Sequence, residues 1–517
     1  MSDTNDTGPV LAADGTPLKR SLQRSLRLQK FRALLLIAPL LAFILITFIA
    51  PIADMLFRSV ENKIVEETLP QTVALLNKDD DVSSIVPGQR GFSALYVDMF
   101  VAAEKKEHTR LGTRLNYEQT GISSLFRKSG RRVRRLDVEV YRDQFAAVDP
   151  RWNELATWEQ LAADSDMEDI LPRAMWAYNA WHDYVVADGD DPKEEGLEDF
   201  IYVALYDDLT SSSVTANGNE LIQKAANAVS GFETVDFIAA FKKFDKDWTS
   251  EDVWKTIRTY SPPYTEGYFL NAADLKKDFD GYSVRPENQR IYGTLFGRTL
   301  FMSMVITSCA ILLGYPIAWL MSNRPAREAN LLMIMVLLPF WTSLLVRTSA
   351  WKVMLQQQGV INDTLVWLNI VDEAGRLVLI NNQFGTIVAM THILLPFMVL
   401  PLYSVMRTIP ETYTRAAKSL GATNWTAFWR VYFPLSVPGI GAGSILVFIL
   451  SIGYYITPEI VGGTTGTFIS NRIAYHISSS LNWGLAAALG TILLAVVLLL
   501  YWVYDRIVGI DNVKLGG

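Results

Sequence analysis

Cysteine is nearly missing from this sequence: Cys309 is the only one in 517 residues, and histidine occurs four times. A lone cysteine closes no disulfide within the chain, so any large part lying in an oxidising space has to be held by its own core. Cys309 sits in an apolar run with no second ligand beside it, which makes it a packing residue rather than a metal or redox group. The phosphate-binding pattern GxxxxGK[ST] is also missing, since GTTGTF at 463–468 has no lysine. His108 and His182 stand without an HExxH pair, a serine–glycine elbow or a cysteine, so their region shows no catalytic constellation. Two acidic clusters, Asp188/Asp190/Asp191 and Asp245/Asp247, fail as calcium loops: counted from Asp245, the position that needs glycine is Ser250. They read as a solvated face or helix caps, and no metal site is expected.

What the chain has in excess is apolar surface. Half of its residues are hydrophobic, and they are unevenly spread. Residues 60–290 hold 27 lysines and arginines against 42 aspartates and glutamates, a net −15, which leaves the rest at +8 of the overall −7. An acidic, soluble-looking block inside a basic, apolar chain indicates a membrane protein with an inserted domain.

Six runs approach the 20 or so apolar residues a bilayer span needs: 33–52, 299–321, 329–346, 384–406, 439–456 and 485–503. The first has basic residues before it, as a signal peptide would, but its apolar stretch is long and no small-x-small cleavage site follows, so it reads as an uncleaved anchor. Basic residues cluster in the arm (Lys19, Arg20, Arg24, Arg27, Lys30, Arg32), between spans two and three (Arg324, Arg327), between four and five (Arg407, Arg415, Lys418, Arg430) and after six (Arg506, Lys514). With six spans all four regions fall on one side, which the positive-inside rule makes cytoplasmic. Residues 58–294 are then extracytoplasmic. Prolines at 39, 316, 339, 396 and 401 lie within the spans. They suit broken helices lining a pathway, though proline is also common in membrane helices generally.

Within 60–290, NELIQKAANAV and TVDFIAAFKKF show helical spacing of apolar residues, and TSEDVWKTI opens with a candidate capping box from Thr249 to Asp252. Residues 131–141 alternate and suggest a strand; 187–196 is a loop; no internal repeat is apparent. The basic run at 128–135 faces outward on this topology, which argues against nucleic acid and for pairing with the domain's own acids or with a partner.

The stretch RAAKSLGATNWTAFWRVYFPLSVPG, residues 415–439, interrupts the apolar spans. Pro410 and Glu411 suit a first helical turn. Tyr413, Ala416, Ala417 and Leu420 share one helical face, Gly421 can end the helix in a left-handed conformation, and Thr423 or Asn424 can cap a second helix. There Trp425, Phe428, Trp429 and Tyr432 repeat the one-face pattern, and Pro434 and Pro438 end it. An exposed stripe of this kind is either gripped in a partner's groove or laid on the lipid interface.

This stretch resembles the cytoplasmic loop of binding-protein-dependent ABC importer permeases, whose EAA triplet, following glycine and downstream proline correspond to Arg415-Ala416-Ala417, Gly421 and Pro434. Arg415 departs from the usual glutamate. LPFWTSLLVRTSAW at 338–351 and YYITPEIVGG at 454–463 resemble the polyamine or opine branch of that family. The resemblance implies an all-α polytopic membrane protein of six transmembrane helices, type I importer permease-like, with a large, mainly helical domain inserted between the first two. It divides into a basic arm at 1–32, helix one at 33–57, the insert at 58–294, a permease core at 295–508 containing a coupling hairpin at 410–437, and a cytoplasmic tail at 509–517. It further implies a place in the bacterial inner membrane, with both termini cytoplasmic and the insert periplasmic. The implied partners are ABC ATPase subunits, a second permease subunit and an extracytoplasmic solute-binding protein, with ATP and Mg held by the ATPase and no cofactor in this chain. Tyr413, Arg415, Ala416, Ala417, Leu420, Gly421, Trp425, Phe428 and Pro434 become coupling candidates. Polar or aromatic groups at membrane depth, Trp341, Arg347, His392, Tyr454, Tyr455 and Glu459, become pathway candidates, although Arg347 and Glu459 also suit snorkelling at the outer interface. A secondary transporter and a receptor with an outer sensor domain are the rival classes.

Overall fold

The computed structural model describes residues 18–78, 85–211 and 219–508; the tail at 509–517 and residues 1–17 of the arm lie outside it. Among the described residues five helices are long and apolar enough to cross a bilayer: Gln29–Arg58, Tyr292–Ser322, Gln383–Thr408, Asn424–Gly453 and Trp483–Arg506. A sixth crossing requires the pair Ala326–Trp341 and Leu344–Met354, which meet at 93°. The run at 329–346 is therefore not one straight span. Pro339 sits in a tightened turn at Leu338–Trp341, Thr342 is extended, and the Ser343 hydroxyl then accepts the Val346 N–H to start a new helix. Hydropathy counts side chains and misses that backbone break.

The fifth span also differs from its sequence reading. Pro434 does not end the second hairpin helix. Asn424–Ala427, a π-turn at Phe428–Tyr432 and Phe433–Gly453 run on as one helical rod. Pro434 falls in the first turn after the π-turn, where its missing N–H costs little.

The membrane core forms where the helices Tyr292–Ser322, Gln383–Thr408 and Asn424–Gly453 meet. Met302, Ile306, Ala310 and Met321 bury against Met390, Leu394, Met398, Leu402 and Met406. Glycines permit the close approach: a Cβ on Gly314 or Gly443 would press on Met398, and one on Gly439 on Leu402 and Val405. The first span buries none of its apolar window within this chain.

Among the described residues, the segment between the first two spans is a helical body with one antiparallel hairpin, Leu275–Asp278 paired with Gly281–Val284. Residues 131–141 are not a strand. They end one helix, Ile122–Val133, and begin another, Glu139–Val148. The helical period of buried residues, Ile122, Leu125, Phe126, Ser129 and Val133, starts upstream of the alternating window. Thr249 is not a capping residue: its hydroxyl donates back to the Lys246 carbonyl, and Ser250 takes the cap position. The basic run is paired within the domain, Lys128 with Asp245 and Arg134 with Glu104.

The fold contains a duplication that the sequence reading missed. Leu69 (φ −128, ψ 51) and Leu171 (φ −126, ψ 56) precede helices Pro70–Lys78 and Pro172–Asp188 in the same backbone conformation. Each helix start is covered by a carboxylate from an ALYxD sequence. Asp98 accepts the N–H groups of Gln71 and Thr72 at 3.3 and 2.7 Å, and Asp208 those of Arg173 and Ala174, both at 2.9 Å. A second pattern, FxxxDxxWxxxxxW, occurs at Phe145–Asp149–Trp152–Trp158 and at Phe241–Asp245–Trp248–Trp254. In both, the later indole N–H donates to the carbonyl of the earlier tryptophan, at 2.9 and 2.7 Å.

The two copies exchange halves. Phe92 packs on Phe241 and Trp254, while its counterpart Tyr202 packs on Phe145 and Trp158. Tyr96 meets Phe237, and Tyr206 meets Tyr141. Such reciprocity is that of an approximate twofold, and Tyr141 and Phe237 stack at its centre. Unequal connectors hide the repeat: helices His108–Asn116 and Ile122–Val133 join the blocks in one copy, and Glu220–Ala228 with a 3-10 turn in the other.

Two joints fix this body to the membrane core. The Asp274 carboxylate accepts the N–H groups of Ile291, Tyr292 and Gly293 (3.0, 3.1 and 2.7 Å), capping the helix Tyr292–Ser322. Tyr268 packs on Gly484 at the start of the last span. It is held there by the Arg114 Nε–H at 2.8 Å, and Arg114 and Arg285 share the buried Glu118 carboxylate.

Candidate functional site

The hairpin consists of the helix Glu411–Ser419, a turn, and the helix that begins at Asn424. Gly421 has φ +91, the left-handed conformation that favours glycine. Its N–H donates to the Lys418 carbonyl and that of Ala422 to the Ala417 carbonyl, both at 3.0 Å, a Schellman turn. Thr423 caps the second helix through the Thr426 N–H at 3.2 Å. These local bonds fix the angle between the arms.

One side of the hairpin is anchored. Phe428 stacks on Tyr432 and meets Tyr315 of the second span edge-on. The Tyr315 hydroxyl bonds Ser436 at 2.9 Å, Tyr432 bonds Ser322 at 3.1 Å, and Arg407 donates to the Ser322 carbonyl at 3.1 Å. Ala417 is half-buried on this side. The other side is bare: Tyr413, Leu420 and Trp425 are 52, 89 and 72% exposed, and Ala416 is exposed beside them. The expected shared face is thus split between an anchored and an open side. Arg415 forms an ion pair with Glu411 one turn earlier, in the favourable order along the helix. Pro434 lies in the rod that continues from the hairpin as the fifth span. Tyr315, Ser322 and Ser436 are anchors that sequence reasoning missed, because each acts across helices far apart in the chain.

The pathway candidates do not form one cluster. Arg347, His392 and Tyr454 lie together, for the Arg347 charge acts on both of the others. Two residues not picked out by sequence complete the group: Phe340, whose ring lies 5.5 Å from the guanidinium, and Trp351, whose indole N–H donates to His392 Nδ1 at 3.1 Å. The Nε and Nη1 of Arg347 are buried with no partner among the described residues. The hydroxyls of Thr348 and Thr457 meet at 3.1 Å, tying the helix that carries Arg347 to the short helix Ile456–Val461. Trp341 is 71% exposed and stands outside the group; its neighbour Phe340 takes the place by the guanidinium. Tyr455 is exposed, and its carbonyl accepts from Asn471. Glu459 opens on a separate cavity of about 530 Å³ and accepts from Asn471 at 2.6 Å. Among the described residues no three metal-ligating side chains converge.

The hairpin is thus tied to membrane helices on one side and carries exposed apolar side chains on the other, and the comparisons with known proteins bear on what that side meets. The family model described as "Binding-protein-dependent transport system inner membrane component" matches residues 293–509. The spermidine/putrescine transport system permease protein PotB of Escherichia coli (strain K12) is 33% identical over 220 residues, 42% of this chain and 79% of that protein. The inner membrane ABC transporter permease protein YdcU of the same organism is 31% identical over 222 residues, 41% of this chain and 70% of that one. A chain of the bacterial alginate ABC transporter, solved with an alginate pentasaccharide-bound periplasmic protein, aligns at 19% identity and a TM-score of 0.37, over 44% of this chain and 81% of that one. The family match spans the helices that carry the hairpin and the Arg347 group and leaves out the duplicated domain. This chain belongs to the binding-protein-dependent transport system inner membrane components, as a multi-pass permease subunit of an ABC importer.

Proposed function

We propose that this permease moves a small polyamine-like or opine-like solute from an extracytoplasmic binding protein into the cytoplasm, driven by ATPase subunits that dock on the hairpin at 410–437. The observation that carries the reading is the exposed line of Tyr413, Leu420 and Trp425 on an otherwise anchored hairpin. Apolar side chains of that size, grouped on one rigid tip, favour burial in a groove of a partner. ATP and Mg belong to that partner, whose closure on ATP turns the hairpin and, through the rod Asn424–Gly453, the membrane helices. Ala416 and Gly421 leave room for the groove's wall, and the Arg415–Glu411 pair sets the charge it meets.

A second permease subunit is part of this reading. Buried donors without acceptors, as in Arg347, cost about 1–3 kcal/mol each. An acceptor from the solute or from a facing permease would remove that cost. His392 and Tyr454 stand with Arg347 on this route, Glu459 opens on a separate cavity, and Tyr455 and Trp341 lie at the surface a facing subunit would cover. Both termini are then cytoplasmic and the duplicated domain periplasmic, where it serves as a platform for the binding protein.

Co-purification is the test. The wild-type chain should retain an ATP-binding subunit and Trp425→Ala with Leu420→Ala should lose it, while thermal stability is unchanged because both side chains are exposed. A secondary transporter needs no ATPase, so transport without any bound ATPase would replace this reading.

A further inference from the structure

The cavity beside Glu459 carries a charge that its neighbours do not balance. It lies between the outer turns of the helix Tyr292–Ser322 and the helix Ile469–Ser478, and three arginines, Arg290, Arg298 and Arg472, line it. Glu459 is the one carboxylate in the lining, and Asn471 already donates to it. None of the three arginines forms an ion pair among the described residues. Arg298 donates one N–H to the Thr464 carbonyl at 2.9 Å, Arg290 donates its Nε–H to the Arg285 carbonyl, and Arg472 lies 5.5 Å from the Tyr475 ring centre. The hydrogen bonds use one N–H each of Arg298 and Arg290, and the remaining guanidinium donors of the three residues have no acceptor among the described residues. Like charges held together around a partly enclosed space repel one another, and an anion there would be attracted by all three. Guanidinium forks match the paired oxygens of a carboxylate or phosphate, whereas a polycation would enter against a net positive field.

We infer that this cavity receives an oxyanion group, carboxylate or phosphate, of the transported solute, so that the solute is anionic or zwitterionic rather than a bare polyamine. The inference rests on the permease reading and narrows its solute class to the opine-like side. The same oxyanion chemistry is carried by lipid headgroups, and the test separates the two sources.

The probes are succinate and putrescine, small four-carbon molecules that carry two carboxylates and two ammonium groups respectively. The full chain in phosphatidylcholine nanodiscs is titrated with each by calorimetry. Succinate should bind saturably and putrescine should not, and Arg298→Gln or Arg472→Gln should weaken succinate at least tenfold. Arg298→Lys, which keeps the charge, should retain part of the affinity and so shows that a loss in the glutamine variant is not misfolding. Binding of putrescine, no saturable binding of succinate, or succinate binding indifferent to both glutamine substitutions would overturn the inference. So would loss of the succinate site in phosphatidylglycerol nanodiscs, since headgroups would then be its occupants. ATPase association is measured on the same preparations. Its absence defeats the permease reading, whereas a failed titration with the ATPase still bound defeats only the oxyanion site.

Discussion

The ring of Tyr268 lies so closely on Gly484 that a Cβ at that position would overlap it. The ring has little freedom to yield, because its hydroxyl accepts from Arg114 and the Arg114 guanidinium lies 4.4 Å from its centre. This contact joins the duplicated domain to the last membrane helix. Gly484→Leu should force the two apart. A loss of about 1–3 kcal/mol is the usual scale for overpacking. Limited proteolysis should then cut faster between the domain and the core, with Gly484→Ala intermediate. Equal cleavage rates in all three proteins would mean that the contact does not hold the joint.

The twofold-related tryptophan pairs should not respond equally. Trp254 donates to the Trp248 carbonyl, and Trp158 to the Trp152 carbonyl. The Trp152 carbonyl also accepts from the Tyr202 hydroxyl at 2.9 Å, whereas Phe92 at the matching position has no hydroxyl. Trp254→Phe therefore strands a buried acceptor and Trp158→Phe does not. The first should cost about 1–3 kcal/mol more than packing loss alone, and the second distinctly less. Denaturant midpoints of the two variants decide the order.

Burial pushes the carboxyls of both Asp98 and Asp208 up to about 7, against the pull of the N–H groups they cap and of Arg173. Between the unfolded carboxyl range near 4 and about 7, the folded domain holds protons that the unfolded chain has released. Stability is thus fully present below that range and falls as pH rises through it, by up to ~1.4 kcal/mol per pH unit per group. Unfolding followed by tryptophan fluorescence should show a higher midpoint at pH 5 than at pH 7. Asp98→Asn should flatten that slope, and a slope that survives both this and Asp208→Asn points to other groups.

What could be read from the sequence was what is local. Hydropathy located the five long apolar helices found among the described residues, and three- and four-residue spacing with one glycine located the hairpin, because each of those signals lies within one stretch of chain. The bend at Thr342–Ser343 depends on backbone angles that hydropathy does not register. Arg298 and Arg472 share a cavity only because helices distant in sequence pack together, and Trp351 reaches His392 in the same way. The duplication stayed hidden because its connectors differ while its packing is conserved: the partner of Phe92 is Trp254, not the nearer Trp158.

Arg347 offers a case in which stability and function should move in opposite directions. Its unpartnered Nε and Nη1 are a cost to the isolated chain. Arg347→Met keeps much of the volume and removes the unsatisfied donors, so the purified subunit should unfold at a higher temperature or unchanged. Uptake by the whole importer should fall at least tenfold, because the acceptor loses the guanidinium that meets it. A variant that unfolds earlier yet transports normally would assign Arg347 to structure alone.

Gly421 is where local backbone and coupling meet. Nothing lies within 4 Å of a Cβ built there, so any penalty for a side chain comes from its φ of +91 and from whatever occupies the open face. Gly421→Ala tests the first: a left-handed alanine costs on the order of 1 kcal/mol, the hairpin persists, and transport should drop only modestly. Gly421→Val adds a β-branch that the left-handed conformation tolerates poorly and that projects toward the partner. The Schellman bonds of Ala422 and Gly421 should then break and the angle between the arms change. The expected signature is an ATPase that still hydrolyses ATP while uptake is lost, since the phenol of Tyr315 and the helices behind it no longer feel its closure. Normal uptake in Gly421→Val would sever the hairpin from the power stroke.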